Sequence, residues 1–184
     1  MKKALVLLAD GAEEIEAVVV IDVLRRADID VTVAGLTGDG IVTCSRKVKI
    51  KPDMDIASAA KNAPYDVIIL PGGLQGATAL SKAAVVGEML KDQEKCQRII
   101  GAICAAPIAI KAHKIGVGKQ ITSYPAFKDQ FTEYKYSEAT VVSDGNLITS
   151  RGPATAMQFA LEIVRQLCGE EVATATAAPM LVTL

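Results

Sequence analysis

One cysteine, Cys104, occupies a position that could make its thiol reactive. It follows the apolar run 99–103 and precedes the Ala-rich stretch 105–113, in which Pro107 suits a first helical turn. The pattern predicts a buried strand that turns sharply into a helix at Cys104, the layout of a nucleophile elbow. Backbone N–H groups at a helix start favour a nearby anion, so we expect a lowered thiol pKa and reaction as thiolate. The alternative is an inert buried cysteine, a common fate of free Cys.

Two other loops carry groups that could assist Cys104. Glu16 lies one turn into the first predicted helix; if it reaches the thiol, the two acids cannot both ionise cheaply. We then expect a neutral Glu16 that donates a hydrogen bond to the thiolate. A backbone N–H near Gly73 could join that of Ala105 as a cradle for an oxyanion or sulfinate. A solvated helix residue and a plain turn are the alternative interpretations of Glu16 and Gly73.

The single histidine, His113, restricts the chemistry. It lies nine residues after Cys104 on the same predicted helix, about 13 Å along the axis. It cannot act as the base for Cys104 unless that helix unwinds, so a Cys–His hydrolase within one chain is disfavoured. His113 is expected in the last turn of the helix, where a cation is favourable.

The remaining candidate residues carry weaker signals. Arg46 and Arg151 could bind an anion or contact a second subunit, and structural ion pairs are the alternative. Cys44, Cys96 and Cys168 lack the context of Cys104, and a structural role is favoured for each. The four cysteines show no CxxC spacing, so neither a metal site nor a disulfide scaffold is supported, and a reduced compartment is expected.

The predicted elements explain how these groups could meet. Strands alternate with helices, which predicts a single α/β domain over 1–184 with a doubly wound, mostly parallel sheet. Such sheets place their sites outside the carboxyl ends of the strands, where the loops 11–16, 71–73 and 104–105 would converge. Strands are predicted at 3–8, 30–35, 41–44, 48–50, 65–70, 98–103, 121–123, 140–142 and 147–150, and helices at 13–27, after 55, and at 77–91, 105–113, 153–168 and 170–178.

Composition excludes several classes of protein. The chain has 184 residues, of which 51% are hydrophobic, which suits a core on both faces of a sheet. No apolar run approaches the roughly 18–20 residues of a membrane span. The formal net charge of −1 gives no electrostatic footprint for nucleic acid.

Four motifs in order resemble the ThiJ/PfpI superfamily: ADGAEEIE (9–16), LPGG (70–73), AICAAP (102–107) and TSRGP (149–153). The likeness runs essentially from end to end. It implies a flavodoxin-like fold, a homodimer, no cofactor, and a cytoplasmic protein with nuclear and mitochondrial fractions. It further implies that Cys104 is readily oxidised to sulfinate beside Glu16, with backbone donors from Gly73 and Ala105. Cys44 would be an accessory cysteine near the dimer contact.

The resemblance implies two kinds of function that use the same residues. One is an oxidative-stress sensor and redox-dependent chaperone acting on client proteins. The other is a glyoxalase or deglycase acting on 2-oxoaldehydes such as methylglyoxal, or on glycated proteins. The sequence departs from the family at Tyr124, where relatives often carry His, and at Lys51, where they carry Cys; Ala106 replaces a usual Gly. A phenol with a reference pKa near 10 is a poor base, so the sequence favours the sensor.

Overall fold

Strands and helices alternate along the computed structural model, which describes residues 1–183. The strands are β1 (Lys3–Leu8), β2 (Asp30–Gly35), β3 (Val42–Thr43), β4 (Lys49–Ile50), β5 (Met54–Asp55), β6 (Val67–Leu70), β7 (Ile99–Ile103), β8 (Gln120–Ile121), β9 (Lys135–Tyr136), β10 (Val141–Asp144) and β11 (Leu147–Ser150). The α-helices are α1 (Glu14–Arg26), α2 (Ile56–Lys61), α3 (Leu74–Lys82), α4 (Ala84–Lys95), α5 (Pro107–Ala112), α6 (Ala156–Cys168) and α7 (Glu170–Ala177). Short 3-10 helices cover Pro125–Gln130, Pro153–Thr155 and Ala178–Met180.

Seven of the strands form one sheet in the order β10-β11-β7-β6-β1-β2-β5. Each neighbouring pair is parallel except β10 with β11, which form an antiparallel hairpin at one edge. The flavodoxin-like, doubly wound and mostly parallel sheet predicted from the sequence is therefore confirmed. Because β7, β6 and β1 are adjacent, the three loops that follow their carboxyl ends emerge side by side.

Helices bury both faces of this sheet. Successive side chains of a strand point to opposite faces, and β1 shows this directly: Val6 packs with α1, α6 and α7, whereas Leu5 and Leu7 pack with α2, α4 and α5 on the other face. Burial on both faces explains why the strands are continuous apolar runs instead of alternating ones.

The predicted helix 77–91 is in fact two helices, because the backbone of Ala83 is extended, with φ −80° and ψ 114°. Leu80 and Val86 are both fully buried. In one unbroken helix these two positions would lie about 120° apart around the axis. The break at Ala83 lets both side chains reach the same core.

Four other differences concern short elements. The helix after Cys104 begins at Pro107 and has only six residues. The edge strand β5 and the two-stranded β8–β9 ladder were not predicted in this form, and the 3-10 helix Pro125–Gln130 was not predicted at all. Such elements are too short to leave a periodic pattern in the sequence. Within residues 1–183, no helix combines the length and apolar character that crossing a membrane requires.

Candidate active site

Cys104 sits in a strained corner between β7 and α5. Its φ is +64°, a left-handed conformation that costs a non-glycine residue of order 1–3 kcal/mol. Two hydrogen bonds hold the corner: the Cys104 N–H donates to the Ser150 carbonyl (3.0 Å), and the Cys104 carbonyl accepts from the Tyr124 N–H (2.8 Å). The sequence-predicted elbow geometry is therefore present, fixed by the neighbouring strand β11 and by the segment after β8.

Glu16 reaches this corner from α1 and is completely buried. Its Oε2 accepts a hydrogen bond from the Gly72 N–H at 2.7 Å. Gly72 lies between the two acids, because a Cβ added there would come within 2.5 Å of Glu16 Oε2 and 2.6 Å of Cys104 Cβ. Only glycine leaves room for the carboxyl group and the thiol to meet.

The loop after β6 is locked to the loop after β1. The Glu13 N–H donates to the Gly72 carbonyl at 2.9 Å. Gly73 has a φ of +82°, and a Cβ there would lie 2.2 Å from the Gly11 carbonyl oxygen. The close approach of these loops thus depends on two consecutive glycines, and it brings the Gly73 N–H to the sulfur of Cys104.

Burial raises the pKa of Glu16 from 4.5 to about 7, and hydrogen bonds from the Cys104 side chain and the Gly72 N–H partly oppose this effect. A further increase comes from the nearby Glu13 carboxylate. Within residues 1–183, Glu16 Oε1 has no hydrogen-bond partner. Because Oε2 already accepts a hydrogen bond, Oε1 is the oxygen suited to carry the proton of the neutral acid.

The expectation of a lowered thiol pKa at Cys104 is wrong. Burial is the largest cause of a rise to about 12, followed by the charge of Glu16 and the hydrogen bond to it. The N–H groups of Gly73 and Ala105 lower the pKa but do not outweigh these effects. Since α5 begins only at Pro107 and is short, it offers less stabilisation of an anion than a long helix starting at residue 105 would.

A cavity of about 540 Å³ opens above Cys104. Most of its lining is apolar or aromatic, and the two charged members, Glu13 and Arg46, come from the loops after β1 and β3: the full set is Glu13, Arg46, Leu74, Cys104, Ala105, Tyr124, Ala126, Phe127 and Pro153. The thiol is therefore accessible to a small molecule from this cavity, whereas Glu16 lies behind it.

The other candidate residues lie in different surroundings. Arg46 lines the cavity, but Arg151 does not; its Nη1 donates to the Glu138 carbonyl at 3.0 Å. His113 caps the end of α5, with Nε2 3.0 Å from the Leu80 carbonyl oxygen, so its ring faces α3. Cys44 is buried, and burial with the nearby carboxylates of Glu14, Glu13 and Asp10 raises its thiol pKa to about 11.

Sequence reasoning missed the apolar part of the cavity wall. Leu74, Ala126 and Phe127 line the cavity but belong to no pattern that suggests chemistry. The usable signal was Pro125, which directly follows Tyr124 and fixes the start of the 3-10 helix that carries Ala126 and Phe127.

Comparison with known proteins gives one consistent result. The sequence model of the DJ-1/PfpI family matches residues 2–166. The chain is 54% identical to the Parkinson disease protein 7 homolog of Danio rerio, over 98% of this chain and 97% of the relative. It is 44% identical to the glutathione-independent glyoxalase DJR-1.2 of Caenorhabditis elegans, over 92% and 91%. The crystal structure of Drosophila melanogaster DJ-1beta superposes with a TM-score of 0.97 at 50% identity, covering 100% of this chain and 99% of that one.

Proposed function

Since this chain belongs to the DJ-1/PfpI family, we propose that it is a cofactor-independent glyoxalase that converts small 2-oxoaldehydes into 2-hydroxy acids at Cys104. The observation that carries the proposal is the buried Glu16–Cys104 pair at the floor of an open cavity, with a Glu16 pKa of about 7. A relative of 44% identity that is named a glyoxalase supports the same activity.

The pair supplies the proton transfers that this reaction needs. As Sγ bonds to the aldehyde carbon, the Glu16 carboxylate accepts the thiol proton and passes it to the new oxyanion, which gives a hemithioacetal. The N–H groups of Gly73 and Ala105 stabilise the oxyanion. Loss of the proton on the former aldehyde carbon and protonation of the ketone carbon then move two electrons between these carbons. Water cleaves the resulting thioester, releasing the 2-hydroxy acid and restoring the thiol.

Conversion of the 2-oxoaldehyde into the 2-hydroxy acid needs no external oxidant or reductant, since one carbon is oxidised while its neighbour is reduced. The same attack on an early glycation adduct of Cys, Lys or Arg, with water as the second reactant, gives a deglycase reaction. A carboxyl group with a pKa near the operating pH is an efficient proton shuttle. Glu16 thus supplies the base that the replacement of the family His by Tyr124 appeared to remove.

The raised thiol pKa changes the balance between the two functions considered from the sequence. Oxidation by peroxide is faster the more thiolate is present, and burial together with the charge of Glu16 raises the pKa of the Cys104 thiol. Attack on an aldehyde does not require a standing thiolate, because Glu16 accepts the proton as the bond forms. We therefore favour the glyoxalase function over the redox-sensor function.

The test is lactate formation from methylglyoxal by protein verified as reduced by intact mass. We expect saturable turnover that is abolished in Cys104→Ala and lowered at least about 100-fold in Glu16→Gln, the range typical of a lost acid–base group. The exposed Cys96 offers a matched control, and Cys96→Ala should retain full turnover. Lactate formation by Cys104→Ala at the wild-type rate would reject the proposal.

A second candidate is a redox sensor, in which Cys104 is oxidised to sulfinate and the altered protein protects client proteins. The favouring observation is the pair of N–H groups, from Gly73 and Ala105, that face the sulfur and could bind sulfinate oxygens. Graded peroxide followed by peptide mass analysis should add two oxygens selectively to Cys104. Equal oxidation of the exposed Cys96 at every dose would reject the sensor.

The proposal includes a homodimer built on α1. Ile15 and Val18 lie three residues apart on one helical face and are 51% and 49% exposed, and Val48 is 47% exposed. Apolar side chains at such spacing are suited to a contact with a second copy. Cytoplasmic residence with nuclear and mitochondrial fractions, and a place for Cys44 near the dimer contact, rest on the family likeness alone.

A further inference from the structure

We infer that Tyr124 and Phe127 form an aromatic wall that makes the site selective for 2-oxoaldehydes with an aromatic substituent. This inference rests on the proposed glyoxalase activity and names its preferred substrate class. Tyr124 and Phe127 both line the cavity above Cys104.

The cavity is larger than a three-carbon substrate requires. Pockets of about 300–1,000 Å³ accommodate drug-sized ligands, and this one has about 540 Å³. Methylglyoxal bound covalently at Cys104 would leave most of the wall in contact with water. An aryl group in place of the methyl group would extend across the same space and remove apolar surface from water.

The backbone of Tyr124 is held at a fixed place relative to the nucleophile. The Tyr124 N–H donates to the Cys104 carbonyl at 2.8 Å, so the two residues share a backbone hydrogen bond. The Phe127 N–H donates to the Tyr124 carbonyl at 3.0 Å, and Pro125 fixes the turn between them. On its other side, the ring lies against Gly152, where an added Cβ would be 3.7 Å from Tyr124 Cδ2.

The two rings present an open aromatic surface to the cavity. Their centroids are 6.2 Å apart with planes tilted by 54°, within the range of favourable aromatic pairs. Tyr124 is 45% exposed. A third ring bound to Cys104 through a glyoxal group can pack against this surface, while Leu74 and Pro153 complete the apolar lining.

The charged residues of the lining fit the product of such a reaction. By the reaction described above, phenylglyoxal and water give mandelate, whose carboxylate forms at the carbon bonded to Sγ. Arg46 lines the same cavity and takes part in none of the ion pairs within residues 1–183. Its guanidinium can therefore attract the carboxylate while the aryl group stays on the wall.

The test compares kcat/KM for phenylglyoxal, cyclohexylglyoxal and methylglyoxal in the wild type, Tyr124→Ala and Tyr124→Phe. We expect Tyr124→Ala to lower the phenylglyoxal-to-methylglyoxal ratio about tenfold, the order that an aromatic contact supports. Tyr124→Phe, which keeps the ring, should retain the wild-type ratio and shows that position 124 tolerates substitution. Val117→Ala, an exposed apolar residue outside the cavity, should change no ratio.

The outcomes separate this inference from the proposed function. If the wild type converts none of the three substrates, the glyoxalase proposal fails. If it converts methylglyoxal but Tyr124→Ala leaves the phenylglyoxal ratio unchanged, only the aromatic wall is rejected. The kcat/KM for cyclohexylglyoxal relative to methylglyoxal is the third readout. If this ratio falls in Tyr124→Ala as much as the phenylglyoxal-to-methylglyoxal ratio does, selection for aromatic groups is also rejected, because the loss would reflect apolar area alone.

Discussion

At the scale of residues, the site is governed by two acids that share one buried space. With a Glu16 pKa of about 7 and a Cys104 pKa of about 12, the pair holds a single proton over most of the neutral and alkaline range. That proton belongs to the pair, because moving it from sulfur to the Glu16 carboxylate exchanges one buried anion for another. Reaction with an aldehyde draws the proton onto Glu16, which passes it to the new oxyanion, so turnover depends on the substrate and not on a permanently ionised thiol.

The raised pKa of Glu16 should be visible in the stability of the protein. Between pH 4.5, its ordinary pKa, and about 7, the folded state binds a proton that the unfolded chain releases. The stabilisation is therefore complete below pH 4.5 and is lost as the pH rises through 7, a change of about 3 kcal/mol. Glu16→Gln lacks this dependence, so the difference in unfolding free energy between wild type and variant should fall by that amount across the interval.

Urea denaturation at pH 4.5, 6 and 8 measures this difference. The exposed Glu171→Gln is the matched control and should track the wild type at each pH. A wild-type advantage over Glu16→Gln that stays constant from pH 4.5 to 8 would contradict the raised pKa.

Glu16→Gln should also separate the reactivity of the thiol from catalysis. Removing the carboxylate charge removes the second-largest cause of the raised Cys104 pKa, and the amide of Gln can donate to a thiolate. We expect alkylation of Cys104 by iodoacetamide at pH 8.5 to accelerate about tenfold, equivalent to one unit of pKa, while glyoxalase turnover falls.

Peptide-resolved mass spectrometry reports the alkylation rate of Cys104, with the exposed Cys96 as an internal reference that should not change. If alkylation of Cys104 slows in Glu16→Gln, then the carboxylate does not hold the thiol pKa up, and the cause assigned to the raised pKa is wrong.

At the scale of elements, the long units were predictable and the short ones were not. The sequence predicted β1 and β2 with the bounds they have, because β1 is a buried apolar run, Val alternates with Thr and Ala in β2, and turn residues end both strands. It also predicted which three loops meet, since the order of a parallel sheet constrains where strand ends lie. The 3-10 helix Pro125–Gln130 was missed because six residues cannot show a period.

The electrostatics of the site could not be predicted in the same way. The sequence places Glu16 near a helix start and Cys104 at an elbow, but the degree of burial decides the sign of the thiol pKa shift. Complete burial of Glu16 and close contact through Gly72 are properties of the folded loops. The predicted helix-start effect was outweighed by desolvation, a tertiary effect that local spacing does not contain.

One buried hydrogen bond connects the elements around β8 and β9. The Tyr134 hydroxyl donates to the Ile115 carbonyl at 2.8 Å, and both residues are buried. Within residues 1–183, that carbonyl has no other donor. Tyr134→Phe should lower the free energy of unfolding by about 1–2 kcal/mol, the cost of a buried acceptor left without a partner.

Tyr124→Phe is the control, because it removes the same hydroxyl from an exposed ring and should change stability by less than about 0.5 kcal/mol. Urea denaturation of both variants measures the effect. Equal stability of Tyr134→Phe and the wild type would mean that water replaces the hydroxyl at the Ile115 carbonyl.

At the scale of the whole molecule, one helix serves both the site and the proposed dimer. α1 carries Glu16, completely buried beside Cys104, and Val18, about half exposed two residues later. Two helical residues correspond to about 200° of rotation, so these side chains point to opposite sides of α1. Assembly through the outer side would cover Ile15 and Val18 without blocking the cavity, whose lining does not include them.

Val18→Asp should therefore convert the protein into a monomer. In a symmetric contact between two copies, the substitution would bury two carboxylates, one from each copy. An unpaired buried charge is strongly unfavourable. Size-exclusion chromatography with light scattering should give twice the chain mass for the wild type and the single-chain mass for Val18→Asp. Val117→Asp introduces the same charge at an apolar site that is 54% exposed and away from α1, and it should remain dimeric. A dimer that persists in Val18→Asp would exclude this face of α1 as the contact. If Val117→Asp also dissociates the dimer, the added charge alone, and not its position on α1, controls assembly.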